Sequence, residues 1–199
     1  MECITFEADQ RMLKEAASHP NMPFMVQGIL QRKGKKNQNG RIYPDEVLMR
    51  EANKYAQTFI KDRRAMGELD HPESSVVNLK NVSHNVTEMH WQGDDLVGTV
   101  EVLTTPNGNI LRELFRNGIK LGISSRGLGT LKKISENSAV VGDDFELIAF
   151  DFVSNPSTQG AFLAPVGQIP LAEGIYRNPR TNQWERTDDI IRNIIAEIG

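Results

Sequence analysis

A single cysteine, Cys3, stands in the whole sequence, so no intrachain disulfide and no cysteine-built zinc cage can form. That fits a reducing compartment, and its place near the start of the chain argues against its being a nucleophile. A large excess of charge of either sign is also missing, the formal net charge being -3. Proteins that neutralise nucleic acid over a broad face usually carry a strongly basic domain, so that class is disfavoured. Long apolar runs are absent too: nothing approaches the roughly 18 residues needed to cross a bilayer. Glu2, Glu7 and Asp9 do not read as a secretory signal, and the expectation is a chain that stays in the cytoplasm. What remains, 199 residues of which 39% are hydrophobic and 25% charged, suits one soluble globular domain with modest room for processed ends.

Patterning divides the chain into three parts. Residues 1–22 are polar, with a weakly helical stretch from Ala8 to Ala17, and read as a leader or arm. Residues 23–166 carry the elements of a folded domain. The short apolar run Phe24 to Leu30 predicts a buried strand, and a basic loop follows with Arg32, Lys33, Lys35 and Lys36, either a solvated turn or a contact for an acidic partner. Pro44 opens a helix, with Asp45 and Glu46 in its first turn. Leu48, Ala52, Tyr55, Ala56, Phe59 and Ile60 share one face of it. Val82 to Trp91 and Leu96 to Leu103 predict a hairpin through Gly93-Asp94-Asp95, and a short helix follows from about Asn109 to Asn117, closed by Gly118. Strands are then expected over 119–124, 128–134, 139–141 and 145–153, joined by Gly-, Asn- and Asp-rich turns. Residues 167–199 read as an appended tail ending in an amphipathic helix built on Ile190, Ile191, Ile194, Ile195 and Ile198. The fold class is therefore α+β: a mainly antiparallel β barrel or strongly curved sheet with two or three flanking helices.

Two clusters depart from ordinary strand or helix composition. In Gly67-Glu68-Leu69-Asp70-His71-Pro72 a histidine follows an expected strand and precedes a proline that limits its backbone, so the imidazole can be held in one place for general base work. A His-Pro pair at a strand end, taken alone, is more often structural. In Gly122-Ile123-Ser124-Ser125-Arg126-Gly127-Leu128-Gly129 two serines and an arginine are flanked by glycines that permit sharp turns. A hydroxyl held there could attack a carbonyl while backbone N–H groups and a guanidinium stabilise the oxyanion. A plain glycine-rich turn is the competing reading.

Together with Asn39-Gly40-Arg41-Ile42-Tyr43-Pro44 and Asp151-Phe152-Val153-Ser154-Asn155-Pro156-Ser157, these clusters give the chain from about Met25 to Pro165 a resemblance to the prohead core proteases of contractile-tailed bacteriophages. That family is distantly similar to the assembly proteases of herpesviruses, which also place the histidine before the serine. The resemblance implies a herpesvirus-protease-like fold and a serine endopeptidase that matures the capsid inside the prohead, in the host cytoplasm. Scaffold and shell proteins are its implied substrates, and the chain itself is another. It implies His71 as general base, Ser124 as nucleophile and Asp151 as the acid that orients His71, with Asp70 the rival acid. Neighbours on a strand point to opposite faces, which favours Asp151. Arg126, with Ser125 and Gly127, is the candidate for oxyanion or substrate binding, a structural ion pair being the other role open to Arg126.

The family's preference for Leu or Ile, any residue, then Glu before a small residue marks two self-cleavage sites, Glu15-Ala16 and Glu173-Gly174. Arg126 or Arg41 would receive that glutamate. His84 and His90, six positions apart on one strand, are expected on the same face but about 20 Å apart, too far for one metal. Asp143, Asp144 and Glu146 read as a solvated turn. No metal, cofactor, nucleic acid or membrane is expected, and a homo-oligomer is. A silent scaffold or shell-binding protein is the alternative, but it has no physical need for histidine, serine and acid together. An esterase would lack the Gly-x-Ser-x-Gly elbow.

Overall fold

The structure is a computed structural model that describes residues 23–72 and 74–166. The expected leader and tail, with the helices and the two self-cleavage sites expected in them, lie outside the described residues. Ten strands occur in this part of the chain: β1 (Phe24–Arg32), β2 (Arg41–Ile42), β3 (Met66–Glu68), β4 (Val82–Gln92), β5 (Asp95–Val102), β6 (Leu121–Leu128), β7 (Leu131–Ser135), β8 (Ser138–Val141), β9 (Glu146–Val153) and β10 (Phe162–Pro165). Two helices flank them, α1 (Asp45–Tyr55), prolonged by one π-helical turn over Ala56–Ile60, and α2 (Pro106–Arg116).

Seven strands form one antiparallel sheet in the order β3-β4-β5-β1-β10-β6-β9, while β2, β8 and β7 make a small second sheet. The large sheet curls until its two ends meet. Leu69, just beyond β3, bridges Phe152 of β9, and the Asp70 N–H donates to the Phe152 carbonyl at 2.8 Å. This seam makes the sheet a nearly closed barrel, as the sequence pattern predicts. Alternation on β5 buries Leu96, Gly98, Val100 and Val102, which pack with Val26, Leu30, Ile123, Phe150 and Phe152. Tyr55 of α1 stands edge-on to Phe150, its ring centroid 5.6 Å away, and so fixes the helix against β9.

Glycine serves close approach at the seam. A Cβ on Gly67 would lie 1.9 Å from the Phe150 carbonyl oxygen and 2.4 Å from His84 Nε2, so only a bare backbone lets β3 pass there.

The structure corrects three readings of the sequence. The Gly122–Gly129 cluster is not a tight turn, since its residues through Leu128 belong to strand β6. Gly122 is needed because Pro156 packs where a side chain would stand, and Gly127 because Phe145 does. Helix α2 begins at Pro106, three residues before the expected start. The Thr105 hydroxyl accepts from the Gly108 N–H at 3.0 Å with proline in the first turn, a cap-and-proline signal that outweighs the apolar periodicity starting at Ile110. A bulge between Val86 and Glu88 shifts the register of β4, so that His84 pairs with Val102 but His90 with Val97. The two histidines therefore face opposite sides, His84 buried and His90 exposed.

Candidate active site

The barrel seam brings together side chains far apart in the chain. Ser124 on β6 and Asp151 on β9 are directly opposed across an antiparallel ladder, so their side chains share a face. Ser125 is opposed to Phe150 and points to the other face. His71 lies three residues past β3, just beyond the bridge to β9, and its Nδ1 is 2.8 Å from Asp151 Oδ2. A carboxylate only accepts, so Nδ1 carries the proton of the neutral ring and Nε2 keeps its lone pair. The His71 side chain is 41% exposed while Asp151 is fully buried, so the imidazole is partly open to solvent and the acid is shielded from it.

Asp151 is heavily engaged. Its Oδ1 accepts from the Glu68 N–H at 3.0 Å and from Arg126 Nη2 at 3.1 Å. Arg126 Nε lies 2.9 Å from Asp151 Oδ2, but its N–H is not aligned with that oxygen, so this contact is an ion pair without a hydrogen bond. The same guanidinium donates to Glu68 Oε1 at 3.1 Å and to the Ser74 carbonyl at 2.7 Å. Arg126, 6% exposed, thus forms a buried ion cluster with Glu68 and Asp151, the second of the roles open to it from sequence. Asp70 does not reach the imidazole. With φ of 70° it turns its Oδ1 back to accept from the His71 backbone N–H at 2.8 Å.

The Ser124 hydroxyl is 3.2 Å from that of Ser157, and among the described residues it makes no hydrogen bond to His71. Such bonds often tighten only when substrate is bound. Ser157 sits in a loop held by the 33–40 segment, because the Gln38 N–H donates to the Ser157 carbonyl at 2.8 Å and the Gln38 side chain to that of Pro156 at 3.2 Å. Ser125 accepts from Gln31 Nε2 at 2.7 Å, and Gln31 in turn accepts from the Thr158 hydroxyl. A bulge in β1 after Ile29 aims Gln31 into the interior. Arg41 and Gly127 are exposed.

Gln31, Glu68 and Thr158 are site neighbours that sequence reasoning missed. Glu68 offered one weak signal, a charged residue at the position of a three-residue strand that must face inward.

Outside this group the expected turn acids are occupied: Asp143 pairs with Arg50 at 2.6 Å, Glu146 lies 3.5 Å from Lys54, and Asp144 caps Thr130. Bonds from the Thr130 N–H and hydroxyl hold the Asp144 carboxyl below its ordinary range.

His84 is a second, buried imidazole. Its Nε2 donates to the Phe150 carbonyl at 2.9 Å, and its Nδ1 accepts from the Ser83 hydroxyl at 2.8 Å. Burial lowers its pKa from 6.5 to about 4, outweighing the Phe150 bond and the Asp151 charge, which both raise it. The unfolded chain therefore takes up this proton first as pH falls. Stability from neutral His84 is complete above pH 6.5 and drains away between there and about pH 4, by about 3 kcal/mol. Urea unfolding at pH 7 and pH 4.5 should show this loss in the wild type and a smaller one in His84→Gln, which keeps a donor for Phe150. Equal losses in the two proteins would assign the acid sensitivity elsewhere.

A histidine braced by a buried carboxylate, beside a serine on the facing strand, is an arrangement able to move a proton and deliver an alkoxide to a carbonyl. The chain belongs to the prohead core protein serine protease family, whose model matches residues 9–169. It is therefore a peptidase of a phage prohead. It is 31% identical over 143 residues to the prohead core protein protease of Enterobacteria phage T4, covering 70% of this chain and 68% of that one. The solved structure of the bacteriophage T4 capsid assembly protease, gp21, superposes with a TM-score of 0.62 at 30% identity, over 65% of this chain and 80% of the other.

Proposed function

We propose that the chain is a serine endopeptidase of prohead maturation that cuts scaffold and shell proteins, and itself, after glutamate. The observation that carries this reading is the 2.8 Å contact of His71 Nδ1 with Asp151 Oδ2, with Ser124 directly across the ladder from that acid. In the proposed mechanism His71 Nε2 takes the Ser124 proton as the hydroxyl oxygen attacks the scissile carbonyl. Asp151 holds the ring in the Nδ1–H tautomer and balances the imidazolium, which then protonates the leaving amine. Water repeats the sequence on the acyl-enzyme and frees Ser124. Arg126, committed to Glu68 and Asp151, supports the acid rather than the oxyanion, which falls to backbone N–H groups near Ser124 with Ser125 and Gly127 the candidates. Arg41, exposed on β2, is the better placed of the two arginines to meet a substrate glutamate. The protein works inside the prohead, as a homo-oligomer, without metal or cofactor.

Self-processing tests the reading. Incubated wild-type protein is expected to lose residues 174–199 by a cut between Glu173 and Gly174, and residues 1–15 by a cut between Glu15 and Ala16. Glu173→Gln should slow the first cut alone, and Ser124→Ala should abolish both. Intact mass spectrometry decides: enzyme that cleaves other substrates yet keeps residues 174–199 indefinitely would refute cleavage of its own tail after Glu173.

A further inference from the structure

Glu68 is a carboxylate to which the mechanism above assigns no task. Burying an ionised carboxyl is costly unless its oxygens are satisfied. Glu68 is 1% exposed and its pairing is incomplete: Oε1 accepts from Arg126 Nη2 and from the Asn78 N–H at 3.0 Å, while Oε2 has no hydrogen-bond partner among the described residues. A glutamine would keep both Oε1 contacts and be cheaper to bury, so packing alone does not call for a charge here. The balance of charges does. One buried guanidinium, Arg126, faces two buried carboxylates, Glu68 and Asp151, which leaves the cluster at a net charge of −1. The cation placed to cancel it is a protonated His71, already against Asp151.

We infer that Glu68 is a positioning residue for the His71–Asp151 pair. Its charge occupies part of Arg126, so Asp151 is not fully neutralised by the guanidinium and stays able to balance an imidazolium. Its Oε1 also joins Arg126 Nη1 in fastening the segment just after His71, through the Asn78 N–H and the Ser74 carbonyl. The inference rests on His71 as the general base. When His71 takes the Ser124 proton the cluster passes from −1 to neutral, and because Glu68, Arg126 and Asp151 are buried, that neutral state is favoured, even with the imidazole partly open to solvent. Other titratable groups near the pair leave this sign unchanged. Burial keeps Tyr55 of α1 protonated and His84 of β4 neutral, and Asp70 is exposed and turned to the backbone.

The test is an NMR titration of the His71 ring in the full chain carrying Ser124→Ala, which prevents self-cleavage. Adding Glu68→Gln should move the His71 titration to lower pH by about one unit, and adding Arg126→Gln should move it to higher pH by a similar amount. A folded Glu68→Gln protein whose His71 titrates as before would overturn the inference. Glu68→Gln is the deciding variant, and Arg126→Gln checks the sign of the coupling. A Glu68→Gln protein that does not fold would show Glu68 to be a structural residue and would equally overturn the inference. The activity of His71→Ala with Ser124 intact separates the two levels. Retained activity removes the base reading and the role of Glu68 with it, whereas lost activity with an unmoved titration removes only the role of Glu68.

Discussion

Ser124→Ala is expected to lower turnover of a peptide containing Leu-Ala-Glu-Gly by about 10⁴-fold or more, and Ser125→Ala to lower it far less. The two serines are neighbours, but the ladder sends them apart. Ser124 lies across from Asp151, on the face where His71 stands, whereas Ser125 lies across from Phe150 and accepts a hydrogen bond from Gln31. Losing the Ser125 hydroxyl removes one acceptor from the Gln31–Thr158 network, which should cost stability by about 1 kcal/mol and leave the chemistry running. Steady-state kinetics on both variants, with their unfolding midpoints, separates the effects. Equal kinetic losses, or a fluorophosphonate adduct on Ser125, would reverse the assignment.

Asp151→Asn is expected to slow turnover by about 10³- to 10⁴-fold in a folded protein. The Asn carbonyl can replace Oδ1 as acceptor for the Glu68 N–H and Arg126 Nη2, so most of the buried cluster survives with Arg126 still paired to Glu68. The amide nitrogen then faces His71 Nδ1 as a donor. That reverses the tautomer, putting the proton on Nε2, where the lone pair is needed. Asp70→Asn should stay close to wild type, because asparagine tolerates the positive φ and can still accept from the His71 N–H. The comparison decides between the acids: a dead Asp70→Asn beside an active Asp151→Asn would move the role to Asp70.

The local elements were readable because each depends on near neighbours. The α1 face, the β4–β5 hairpin and the left-handed Gly118 at the end of α2 follow from spacing and turn residues within a dozen positions. Where the reading went astray, a non-local or competing local effect was at work. Gly122 and Gly127, which look like turn formers, are strand residues making room for Pro156 and Phe145, which come from elsewhere in the chain. One extra residue near Thr87 separated the faces of His84 and His90, because a bulge resets alternation without leaving a sequence mark.

By itself, then, the sequence determined the family, the antiparallel barrel class, and the two clusters holding the histidine and the serines. It named two acids for one imidazole and two roles for Arg126. Only the tertiary structure decided which acid meets His71, because that contact spans 80 positions and depends on β3 and β9 closing the barrel at Leu69 and Phe152. The same closure set Arg126 between Glu68 and Asp151 and made Glu68 part of the site. Periodicity is written in residues three or four apart, whereas a seam between strands distant in sequence is chosen by what packs and pairs across it.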